Sequence, residues 1–148
     1  MLSLDLGYYI PTGAGIASID GSFGYQGQIE FRTNEYTGID LTLGYINWEN
    51  SSNNITSLRL GPRFYWLKNG PTPYTGFNLG LFRYIHKSGY YRYSSSEDTD
   101  FGISFFQGVL LPFSKNFFLN IDLNFTGARN SIGPNMFITI NVGFSILL

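Results

Sequence analysis

The sequence predicts an all-β chain whose eight antiparallel strands close into an up-and-down barrel that crosses a membrane. Three observations carry that reading: long runs in which apolar and polar residues alternate, a composition poor in charge and rich in aromatics, and connections that alternate between short and long. The alternation is cleanest at the C-terminal end. There Phe117, Leu119, Ile121, Leu123 and Phe125 face one way, and Asn120, Asp122, Asn124 and Thr126 the other. After a loop, Met136, Ile138, Ile140, Val142, Phe144 and Ile146 oppose Thr139, Asn141, Gly143 and Ser145. A strand sends successive side chains to opposite faces, so this period belongs to β structure and not to helix.

Alternation alone does not say which face is inside. A soluble sandwich would bury the apolar face and a membrane barrel would turn it to lipid. Composition favours lipid. Charged residues are 13% of the chain, about half the share of an ordinary soluble domain. Aromatics are 18%, with 14 Phe and 11 Tyr, and there are 18 Gly. Lys occurs only at 68, 87 and 115. Such a chain is poorly equipped to cover a soluble surface, and well equipped for lipid outside and small polar residues inside. The 148 residues suit one barrel domain spanning 1–148. The absence of cysteine leaves neither a disulfide framework nor a thiolate metal site. A net charge of −1 without a basic run disfavours nucleic acid as a partner. No apolar run is long enough for a membrane-spanning helix. No signal peptide is evident, so the sequence reads as a mature chain.

Taken in order, the first strand runs from about Leu2 to Pro11, with Leu2, Leu4, Leu6, Tyr8 and Ile10 opposite Ser3, Asp5, Gly7 and Tyr9. A small, polar loop, 12–22, follows. The second strand, about Phe23 to Thr33, sets Phe23, Tyr25, Ile29 and Phe31 against Gln26, Gln28, Glu30 and Arg32. The third, about Thr37 to Trp48, sets Ile39, Leu41, Leu43 and Tyr45 against Asp40, Thr42 and Gly44. The fourth, about Ile55 to Leu67, sets Leu58, Leu60, Phe64 and Trp66 against Arg59, Gly61, Arg63 and Tyr65. Pro62 interrupts its apolar face and lacks a ladder donor, which predicts a bulge or an open hydrogen bond. The fifth, about Tyr74 to Ile85, sets Phe77, Leu79 and Leu81 against Gly76, Asn78, Gly80 and Phe82. The sixth, about Phe101 to Phe113, is the least clean, because Gln107 falls among the apolar positions. Connections at 34–36, 68–73 and 114–116 are short, whereas those at 12–22, 49–54, 86–100 and 127–135 are longer. In an up-and-down array all the longer ones gather at one end. That asymmetry is the one expected of membrane barrels, with short turns on the periplasmic side and longer loops outside.

The runs TPYTGFNLGLFRY, FGISFFQGVLLPFSKNFFLNIDLNF and INVGFSILL resemble the small eight-stranded outer-membrane barrels, the OmpW, OmpX and OmpA-barrel group of porin-like proteins. The resemblance spans essentially the whole chain and is one of pattern. It implies a bacterial outer-membrane location, contact with membrane lipids and lipopolysaccharide, and delivery by the outer-membrane assembly machinery. The last strand is similar to the assembly signal of such proteins, with Asn141, Gly143, Ile146 and Leu148 in the matching places. Bacterial members usually end in Phe or Trp where this chain has Leu148.

Four acids and three bases fall on the inward face: Asp5, Glu30, Asp40 and Asp122 with Arg32, Arg59 and Arg63. Turn lengths place Glu30 opposite Asp40, Arg63 and Arg32 next to that pair, and Asp5 beside Glu30. An eight-stranded barrel is only wide enough to be filled by side chains. Buried charges must then be paired, so a salt-bridged plug is expected, with a gate or narrow polar path as the alternative. His86, the only histidine, forms His-x-Ser with Ser88 and resembles a motif of the outer-membrane lipid A deacylases. That family carries the motif on a strand near the C-terminal end, where this chain has Asn124 and Thr126. His86 is therefore expected to be a rim residue, with no catalytic site, no cofactor and no metal site. Tyr8, Tyr45, Trp48, Trp66, Tyr84, Phe113 and Phe117 cluster near strand ends, as interface anchors do. Tyr90, Tyr91, Arg92 and Tyr93 in the longest loop offer a contact surface for a protein partner. The expected whole is a non-enzymatic, monomeric barrel displaying surface loops. A narrow channel for small or apolar solutes is the alternative, and a lipid-modifying enzyme ranks behind it.

Overall fold

The computed structural model describes residues 1–12, 21–48, 53–68, 70–87, 95–128 and 136–148. They form β1 (Leu2–Thr12), β2 (Ser22–Arg32), β3 (Thr37–Trp48), β4 (Asn53–Tyr65), β5 (Thr72–Lys87), β6 (Ser95–Pro112), β7 (Phe117–Ala128) and β8 (Met136–Ile146). Each strand pairs antiparallel with its sequence neighbours, and β1 closes on β8 from Leu2↔Ile146 to Thr12↔Met136. Closure leaves no strand edge unpaired, and a sheet in lipid requires that because no water is there to satisfy free backbone groups.

Side-chain exposure answers the question that alternation left open. Leu4 and Phe144 are 68% and 69% exposed, whereas the intervening Ser3, Asp5 and Ser145 are buried. The apolar face is outside on every strand and the polar face lines the interior, the reverse of a soluble sandwich. Outside, Tyr8 packs on Phe23 with ring centroids 5.0 Å apart and Tyr25 on Tyr45 at 5.3 Å.

Three tight turns share one end with both termini. At β2–β3, Asn34 Oδ1 accepts from the backbone N–H groups of Tyr36 (2.8 Å) and Thr37 (2.9 Å), an Asx turn. At β4–β5, Gly70 takes φ 77°, a conformation that favours glycine. Lys68 nearby pairs with Glu35 at 2.5 Å, and that hydrogen bond and charge raise the Lys68 pKa. At β6–β7, the N–H groups of Phe113 and Ser114 both donate to the Phe117 carbonyl.

Two expectations are refined here. At Pro62 there is no bulge: Leu60↔Leu79 and Arg63↔Gly76 keep one register, and Gly61 and Pro62 simply contribute no pairs to β5. A Cβ on Gly61 would lie 1.9 Å from the Phe77 carbonyl oxygen, so glycine lets the strands stay close where proline has removed a donor. The second refinement concerns β5 and β6, which run on to Lys87 and back from Ser95. Much of the stretch read as a loop at 86–100 is therefore paired, His86 with Ser96 and Arg83 with Thr99. Arg83 and Glu97 there form an exposed ion pair at 2.6 Å. Residues 95–100, SSEDTD, are all polar, so this part of the strand leaves no apolar alternation in the sequence.

Candidate functional site: the closed lumen

Inward positions of all eight strands converge on the interior. Register brings Glu30 opposite Asp40, and Arg63 from β4 reaches both. Its Nε donates to Asp40 Oδ2 at 2.8 Å and its Nη1 lies 3.6 Å from Glu30 Oε2. Arg63 and Asp40 are 1% and 0% exposed. The Arg63 guanidinium also lies 4.3 Å from the Tyr74 ring centroid and 5.3 Å from that of Phe106, a stacking that suits a planar, weakly hydrated cation. Arg32 Nε donates to Glu30 Oε1 at 3.2 Å and its guanidinium covers the Tyr65 ring at 4.3 Å. Tyr65 donates its hydroxyl to Glu30 Oε2 at 2.5 Å. Glu30, Arg32, Asp40 and Arg63 thus form one cluster towards the short-turn end.

The other three charged residues sit differently. Asp5 does not lie beside Glu30; it pairs with Gln26 on β2 and Gly143 on β8. The β1–β2 register is set by a long connection, whose length does not determine which residues face each other. Gln26 Nε2 and Asn120 Nδ2 donate to Asp5 at 3.3 and 3.0 Å. Asp122 accepts from Asn141 Nδ2 at 2.7 Å, from the Tyr74 hydroxyl at 3.2 Å, from Asn120 at 3.3 Å, and from Asn124. Neither carboxylate has a cation within ion-pair distance among the described residues. Arg59 has no carboxylate in range either; its Nη2 donates to Gln26 Oε1 at 2.7 Å and its Nη1 to Ser104 Oγ at 3.5 Å. Side-chain amides therefore do the work expected of salt bridges. The inward residues Gln26, Asn120, Asn124 and Asn141 were the available signal, with Asn120 and Asn124 flanking Asp122 on the same face.

Two apolar clusters close the interior above and below this polar layer. Towards the long connections lie Tyr9, Ile46, Ile55, Phe82, Tyr84, Ala128 and Phe137. Towards the short turns lie Met1, Tyr65, Tyr74, Phe106 and Leu110, with Phe118 and Leu147 packed against them. Tyr84, expected as an interface anchor, is an inward residue, 3% exposed. Strand parity places it with Phe82, and a barrel this narrow needs large side chains to fill its ends. Tyr8, Trp66, Phe113 and Phe117 do face outward. The side chain of Trp48 lies outside the described residues.

Of the assembly-signal positions, Asn141 and Gly143 face the lumen, Ile146 ends β8, and Leu148 is exposed beyond it. A Cβ on Gly143 would lie 2.1 Å from Asp5 Oδ1, so the glycine makes room for that carboxylate. His86 lies on β5 in register with Asn53 and Ser96; its side chain, and Tyr90, Tyr91, Arg92 and Tyr93, lie outside the described residues. No group of His, Cys, Asp and Glu able to hold a metal ion occurs among the described residues.

A closed eight-stranded barrel, apolar outside, polar inside and short-turned at the end bearing its termini, is the fold of the small bacterial outer-membrane barrel proteins. The chain superposes on Neisserial surface protein A with a TM-score of 0.82 at 15% identity, covering 99% of this chain and 96% of that one. It is similar to Ail, the attachment invasion locus protein of Yersinia pestis, solved in complex with the heparin analogue sucrose octasulfate. There the TM-score is 0.67 at 14% identity, covering 98% and 95%. The outer membrane enzyme PagL shares the fold with a TM-score of 0.57 at 8% identity, covering 99% of each chain. No protein-family model matches the sequence, and no curated protein sequence does.

Proposed function

We propose that this protein is a non-enzymatic, non-conducting barrel of the bacterial outer membrane that anchors its long loops at the cell surface. The observation that carries the reading is the filled lumen. Among the described residues an apolar cluster lies towards each end, and between them Arg63 pairs with Asp40 while Asp5 accepts a hydrogen bond from Asn120. The loop at 88–94, with Tyr90, Tyr91, Arg92 and Tyr93, is the contact surface for a partner at the cell exterior. Membrane lipids and lipopolysaccharide surround the apolar wall, and the strand ending in Asn141, Gly143, Ile146 and Leu148 is the segment that the assembly machinery engages. The test is planar-bilayer conductance of protein refolded in detergent, with a gel of unheated and heated samples to establish that the barrel formed. A folded barrel gives a silent trace. Discrete, reproducible steps would overturn the reading in favour of a narrow channel.

The PagL fold keeps an enzyme in view, and particular residues argue against it. The positions matching the deacylase motif hold Asn124 and Thr126, which face inward and bond to Asp122 and Ser104. Nucleophilic catalysis needs a base within reach of a nucleophile and a third group to orient it. The wild-type protein is expected to release no acyl chain from lipopolysaccharide; release that disappears in His86→Ala would establish the enzyme.

A further inference from the structure

Five inward side chains that line one small cavity carry polar atoms without a hydrogen bond, although one of them, Arg63 Nη1, lies 3.6 Å from Glu30 Oε2. Gln28 Oε1, Thr42 Oγ1, Arg59 Nε, Arg63 Nη1 and Asn78 Oδ1 are each buried without a hydrogen-bond partner among the described residues. All five residues line one cavity of about 10 Å³, which Phe106 helps to wall. Orphaned polar atoms are individually costly in an interior of low dielectric, and five around one space are a strong departure from the usual satisfaction of buried groups.

We propose that this cavity is a built site for one ordered water molecule. The donor and acceptor count fits. Arg59 Nε and Arg63 Nη1 offer N–H groups, and Gln28 Oε1 and Asn78 Oδ1 offer lone pairs. A water accepts two hydrogen bonds and donates two, so it joins the two cations to the two amides, with the Thr42 hydroxyl as a fifth neighbour. Size fits as well, since the cavity is at the lower limit, about 10–15 Å³, of what holds one water and has no room for more. An anion such as chloride is larger and accepts only, leaving both amide oxygens turned towards negative charge. The interior already carries four carboxylates against three guanidiniums, so it has no excess of positive charge for an anion to balance. The water gives Arg59 the partner that no carboxylate provides, and it ties β2, β4 and β5 together across the lumen.

The site lies between the two apolar clusters, so its water exchanges with bulk only when one of them opens. It is independent of what the loops bind. The test is a high-resolution crystal structure of the wild-type chain, with a second crystal soaked in bromide. The expected result is a single peak at roughly 2.7–3.2 Å from at least three of the five named nitrogen and oxygen atoms, without anomalous signal after the soak. A cavity without density, its lining atoms re-paired with one another, would overturn the proposal. So would a bromide peak, which would make it an anion site. In nanodiscs, the Arg59 Nε–H is expected to show a magnetisation-transfer cross-peak to water that is lost in Asn78→Leu. Its absence from a folded wild-type barrel would count against the site.

Discussion

Arg63 is the residue on which the interior turns. It holds Asp40 at 2.8 Å and Glu30 at 3.6 Å, both from β2–β3, while stacking on Tyr74 and Phe106 from β5 and β6. Removing one member of a buried ion pair leaves the other charge uncompensated, at a cost of about 3–5 kcal/mol. Arg63→Ala is therefore expected to lower the barrel's resistance to heat and urea by an amount of that order. An unchanged midpoint would mean that the carboxylates are held by something else. Arg32 is a sharp contrast. Its side chain is 33% exposed, so water replaces it, and Arg32→Ala is expected to cost no more than about 1 kcal/mol.

At the level of the strand, β6 holds the one outward polar side chain that interrupts its apolar run. Gln107 is exposed on the wall, between Phe105 and Val109, in register with Thr75 and Leu123. Against hydrocarbon an amide without partners is unfavourable, by about 0.5–2 kcal/mol on scales that allow partial compensation. Gln107→Leu is expected to stabilise the folded barrel in lipid by an amount in that range, read from urea unfolding in vesicles. Destabilisation would show that the amide has a partner in the membrane. The β5–β6 hairpin teaches a different lesson. Inside the membrane band it alternates except at Gln107, and beyond it Arg83 and Glu97 continue the same ladder with no apolar period to mark it.

For the molecule as a whole, the topology gathers the short turns at one end and the long connections at the other. The chain has no cysteine, so single introduced thiols report on sidedness without background. Tyr91→Cys, between β5 and β6, is expected to react with a membrane-impermeant maleimide on intact cells. Ser114→Cys, in the β6–β7 turn, is expected to react only after the outer membrane is breached. The reverse pattern would invert the barrel and remove the surface-display reading.

Strand number, strand faces and the grouping of short turns were legible in the residues, because lipid on one side and packed polar groups on the other impose a strict period of two wherever a strand crosses the bilayer. The pairing of Glu30 with Asp40 was legible too, since the short turn at 33–36 fixes that register. Asp5 was misplaced because the connection at 12–22 carries no register information. The closing aromatic clusters, the amide shells around Asp5 and Asp122, and the cavity between Arg59 and Arg63 were decided only when strands distant in sequence met. Strand parity tells which way a side chain points, but how far it lies along the barrel axis depends on the stagger of all eight strands, and that stagger decides which residues touch.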